Sequence, residues 1–198
     1  MLWPTVVMGA ATPSLSQTIN AGALTTDVLD ASRVPVASPS VAMSAANFSF
    51  SCQTITGTLG STSQRLYVID PSTTNNGWTL SIAATGGAAA KWQNGGATRN
   101  YAYNDATGAG CTNGQMTIDP SVGTVTADCV SGTCTGATVT KGTSTAMTAA
   151  TPVTLMTGAA GTNLWRGYLT GASVSQKIPA EQPADSYSLN MTLTVVAN

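Results

Sequence analysis

The chain has 198 residues, enough for one well-filled core, and only 8% of them are charged, against roughly a quarter in ordinary soluble domains. A formal net charge of −1 with the seven basic residues scattered leaves no positive patch for a phosphate backbone, so nucleic acid is not an expected partner. Histidine is absent, which removes the Ser-His-Asp and Cys-His arrangements and every histidine-ligated metal site.

The N-terminal run MLWPTVVMGAA is apolar, too short to cross a bilayer, and lacks the basic residues and full length of a secretory signal. It is followed by Thr12 to Asp30, which alternates Leu15, Gln17, Ile19, Ala21 and Ala23 on one side and then reaches Leu24, Val28 and Leu29. That pattern predicts an extended segment, which either closes its own sheet or adds a strand to the open edge of a second copy. Residues 1–33 are therefore set apart as an apolar start and N-terminal strand segment. Residues 34–198 are read as one domain with a long loop around 86–111.

Within that domain, β-type patterning recurs and helical periodicity is nearly absent. ANFSFSCQTI alternates Phe48, Phe50 and Cys52; QRLYVID carries Leu66, Tyr67, Val68 and Ile69; GWTLSIAA puts Trp78, Leu80 and Ile82 on one face. A face shared with leucine and isoleucine is the buried one, so Trp78 is expected as a core anchor. Further strands are predicted in GQMTIDP, VGTVTADC, GATVT, PVTLMT, WRGYLTGASVSQKI and the terminal YSLNMTLTVV, and short helices in AEQPADSY or STAMTAATP. Many short strands punctuated by Gly, Pro and Asn predict an all-β fold: an antiparallel β-sandwich, immunoglobulin-like or a related Greek key, with long glycine-rich connections.

The stretch from Gly86 to Cys111 is glycine-rich and holds Trp92, Arg99, Tyr101 and Tyr103. As an exposed loop, its aromatic faces and polar groups would suit a glycan; the competing reading is a strand whose tyrosines cover one end of the core. YVIDPSTT and MTIDPSVG share an Asp-Pro-Ser strand exit, in which the aspartate accepts a backbone N–H. Asp70, Asp105, Asp119 and Asp128 are the candidate calcium ligands, but no D-x-[DN]-x-[DN]-G spacing occurs, so turn roles are expected and no cofactor is assigned.

Four cysteines, Cys52, Cys111, Cys129 and Cys134, fit two disulfides and an oxidising compartment, and allow three pairings. The favoured one closes a small loop between Cys129 and Cys134 and leaves Cys52 for Cys111. No Gly-x-Ser-x-Gly is present and Glu181 is the only glutamate, so no enzymatic activity is expected.

LYVIDPSTTNNGWTLSIAATG resembles the first signature of the WxL domain family, surface proteins of Gram-positive bacteria that associate non-covalently with the cell wall. The matching positions are Val68 to Asp70, then Gly77, Trp78 and Leu80. The C-terminal IPAEQPADSYSLNMTLTVVAN supplies the family's proline and a tyrosine, Tyr187, but has Leu193 and Val195 where a second Trp-x-Leu is expected. The resemblance implies a β-sandwich at the bacterial cell surface and a cell-wall polysaccharide or peptidoglycan partner. Low charge, abundant Ser, Thr and Asn, and paired cysteines point instead to an extracellular structural subunit of a filament, pilus-like fibre or surface layer, with copies of itself as partner. A non-covalent cell-wall or carbohydrate-binding module is the alternative expectation.

Overall fold

The structure, a computed structural model, describes residues 16–72, 76–129, 134, 138–149, 151–161 and 164–198. Leu15 and the apolar start before it lie outside the described residues.

In chain order the strands are β1 (Thr25–Leu29), β2 (Gln53–Leu59), β3 (Arg65–Asp70), β4 (Trp78–Ala84), β5 (Lys91–Asn94), β6 (Asn100–Ala102), β7 (Met116–Asp119) and β8 (Thr124–Ala127). They continue with β9 (Val139–Lys141), β10 (Thr145–Ala146), β11 (Val153–Gly158), β12 (Trp165–Thr170), β13 (Ala172–Ile178), β14 (Tyr187–Ser188) and β15 (Met191–Ala197). Three single 3₁₀ turns complete the regular structure, and no α-helix occurs among the described residues. The fold is all-β, built from small antiparallel sheets joined by long connections: β1-β3-β12-β8, β10-β7-β13-β2, β15-β4-β11-β9 and β14-β5-β6.

Period-two alternation builds the core. In β4, Trp78, Leu80 and Ile82 are buried while Thr79, Ser81 and Ala83 between them are partly exposed. Strand β12 buries Trp165, Gly167 and Leu169 in the same way, and β13 buries Ala172, Val174 and Gln176. Trp78 and Trp165 meet across sheets with ring centroids 5.2 Å apart. Leu66 and Val68 of β3, Met116 and Ile118 of β7, and Leu155 and Met156 of β11 join the same cluster, so three of the sheets share one core. Gly77, at φ +74°, turns the chain into β4, and a Cβ there would stand 2.5 Å from the Gly158 carbonyl oxygen; only glycine fits.

Several expectations need correction. Phe48 and Phe50 are not strand residues: they stack edge-to-face, 51% and 77% exposed, and the strand begins only at Gln53. Both stretches read as short helices are otherwise. Thr145–Ala146 pairs with β7 and directs Met147 into the core, while Glu181 takes a positive φ in a turn. The region 86–111 is no open loop, because β5 and β6 form a hairpin that β14 extends into a sheet. The N-terminal segment divides: Thr25–Leu29 pairs along its length with β3 of its own chain, whereas residues 16–23 lie exposed ahead of it. Cys52 is bonded to Cys111 and Cys129 to Cys134.

Candidate functional site

Where β1, β2 and β15 approach one another the core is not closed. A cavity of about 850 Å³ opens there, floored by Leu59, Leu66, Ile82, Ile118 and Val174. Val28 of β1, Met191 and Leu193 of β15, and Val41 and Met43 in the stretch before β2 line it as well. The exposed hydroxyls of Ser61, Thr85 and Thr192 lie at the rim.

The sequence explains the opening. Met191, Leu193 and Val195 alternate inward with Thr192 and Thr194 outward, as a half-buried strand requires, yet all three inward residues remain only partly buried. Strand β15 pairs with β4 from Met191–Ala84 to Ala197–Trp78, and among the described residues nothing pairs with its other edge. Strand β1 is also an edge strand, and its end is covered by the Leu29–Pro35 bridge and the Val36 N–H bonded to the Val28 carbonyl. The groove thus has an apolar floor and is flanked by Met191 to Leu193 of β15, whose outer edge, a row of backbone donors and acceptors unpaired among the described residues, continues beyond it. Among the described residues Asp27 is the one charged residue lining it, and its carboxylate accepts the Val28 N–H.

The proposed glycan residues take different places. Tyr103 is fully buried, its hydroxyl donating to the Gly87 and Ala149 carbonyls. Tyr101 is buried between Trp92, stacked at 6.1 Å, and Tyr187, edge-on at 5.2 Å, and this burial pushes its hydroxyl pKa up. Trp92 is half-buried at the inner end of the groove and donates its indole N–H to Gln176 Oε1 at 2.9 Å. Arg99 is exposed and bonded to the Ala184 carbonyl at 3.0 Å. Trp92 and Tyr101 are in ring contact, but Tyr101 and Tyr103 are both buried, as the covering-strand reading expects.

Asp70 and Asp119 each accept the N–H and hydroxyl of the serine two residues on, Ser72 and Ser121. Asp105 accepts from the Thr107 N–H and the Asn113 amide, which hold its carboxyl below the usual range. Asp128 has a different role. Its carboxylate accepts from Arg33 Nε and Nη2 at 2.8 and 2.7 Å and from the Tyr67 hydroxyl at 2.7 Å, and Arg166 Nε lies 3.9 Å away. The Arg33 hydrogen bonds hold this carboxyl well below the ordinary carboxylate range. The network joins the turn after β1 to the end of β8, beside the Cys129–Cys134 bond. Among the described residues no three acidic or cysteine side chains are gathered for a metal ion, and no helix is long and apolar enough to cross a membrane.

The WxL-like residues are interior: Trp78 and Leu80 are both fully buried. No protein-family model matches the chain, and no curated protein or solved structure matches it.

Proposed function

We propose that the protein is an extracellular structural subunit of a bacterial surface assembly, its sheets forming a sandwich of the immunoglobulin-like or Greek-key kind. The observation that carries this reading is the open groove along the free edge of β15. A monomer that leaves the outer edge of a seven-residue strand open, with Met191, Leu193 and Val195 only partly buried, carries an aggregation liability, and a subunit that covers that edge by assembling removes it. A net charge of −1 adds little repulsion between copies, and paired cysteines suit an oxidising exterior. A distant WxL relation is part of this proposal, with Trp78 and Leu80 used as core residues. No catalytic step is proposed.

Sedimentation velocity over a hundredfold range of concentration, with a parallel pull-down on isolated cell wall, tests the reading. Growth into large ordered species supports it. A chain that stays monomeric and binds the wall would replace it with a cell-wall or carbohydrate-binding module.

A further inference from the structure

We propose that the groove is filled by residues 16–23 of a second copy, laid as a strand along the outer edge of β15. This rests on the self-assembling role and names the contact that builds it. Residues 16–23 are exposed at every position, Ile19 88% so, and among the described residues no backbone hydrogen bond holds them to the rest of the chain. Yet their order is that of an amphipathic strand. Gln17, Ile19, Ala21 and Ala23 fall on one side, Ser16, Thr18, Asn20 and Gly22 on the other. Such a segment gains nothing from its apolar side while it lies in water, and the groove offers the partly buried Met191 and Leu193 for an apolar side chain to cover and the open edge of β15 for a backbone to pair with.

Size, charge and direction agree. Eight residues extend about 26 Å, and the seven of β15 about 23 Å. The segment has no charged residue, and among the described residues the groove is lined by no charged residue but Asp27. The segment leaves the body where β3 ends, with Gly22 so close to the Pro71 ring that a Cβ there would stand 2.6 Å from it. Trp165 pairs with Asp70 and its ring meets Trp78, so the start of β4 lies at that same end. The groove is lined by Ile82, Thr85 and Met191, toward the other end of β4. The groove and the root of the donor are thus displaced along the molecule, and a strand passed from one copy to the groove of the next makes a head-to-tail contact that propagates unless its rotation closes a ring. Recognition is by strand addition: ladder hydrogen bonds supply affinity, and Ile19 over the apolar floor fixes register.

The test is I19D in the full chain. Ile19 touches no core of its own copy, so the variant should keep the wild-type thermal midpoint yet remain monomeric where wild type grows. A synthetic peptide of residues 16–24 should bind the variant and slow hydrogen exchange of the β15 amides by about tenfold or more, and the same peptide carrying I19D should not. Assembly of I19D as readily as wild type would overturn this contact and leave the structural-subunit reading standing. A wild type that stays monomeric, with a midpoint that falls in I19D, would mean the segment closes its own groove and would overturn it also. A wild type that neither assembles nor has its β15 amides protected by the peptide would end both.

Discussion

Trp78 shows how far one side chain can be read. Its alternation with Leu80 and Ile82 predicts burial, and the indole is fully buried against Trp165. W78A should therefore cost about 3–5 kcal/mol in denaturant unfolding, the range for removing a buried aromatic; a cost near zero would return Trp78 to the surface. Asp128 could not be read so well, because its partners Arg33 and Tyr67 lie 95 and 61 residues away and no local pattern announces them. Its depressed folded-state pKa fixes the sign of a pH effect. The ionised carboxylate stabilises the fold fully above the unfolded-state pKa of about 3.9, and that stability is lost as pH falls through the lower folded-state value. D128N should cost about 1–2 kcal/mol at pH 7, discounted because half-exposed Arg33 is screened by solvent, and the gap between the two proteins should narrow below about pH 4. A gap that widened in acid would contradict the assignment.

Among elements, strands with alternating burial are legible: β4 and β12 begin at Trp78 and Trp165, at or next to the start of their apolar-periodic stretches, whereas β3 buries Leu66, Tyr67 and Val68 in succession, β13 begins midway through WRGYLTGASVSQKI and β15 begins four residues into YSLNMTLTVV. The errors arose where composition and tertiary pairing disagree. Phe48 and Phe50 alternate as strand residues do, but no neighbouring strand pairs with them, so they remain outside the sheet. The 86–111 region reads as a loop because glycines interrupt it, and its strands exist through pairing with each other and, for β5, with β14, about ninety residues on in the sequence. The groove itself left no sequence signal beyond the inward row Met191, Leu193 and Val195, since a gap is a property of the assembled strands. The disulfides act at this scale as well. Cys52–Cys111 closes a loop across 59 positions and Cys129–Cys134 one across 5. On chain entropy, loss of the first should cost about 4 kcal/mol and loss of the second about 2, measured by denaturant midpoints of the paired Cys→Ser variants. The reverse order would place the constraint elsewhere.

At the scale of the whole molecule, a body of low net charge carries an open β15 edge beside an apolar groove and, among the described residues, an unpaired amphipathic segment, the two halves of the proposed interface. Truncation separates the two halves. A chain starting at Leu24 keeps β1, which belongs to its own sheet through Thr25–Ile69 to Leu29–Arg65, and loses only the donor. It should fold with the wild-type midpoint and fail to polymerise, whereas a start near Val34 would remove β1 and unfold part of the body. The measurement that tests the account most directly is electron cryomicroscopy of full-length protein concentrated until it assembles. The account predicts filaments of head-to-tail subunits in which residues 16–23 of each copy lie beside β15 of the next, with Ile19 over Leu66 and Ile82. A particle that remains a monomer at every concentration, or a filament in which the β15 edge stays bare, would contradict it.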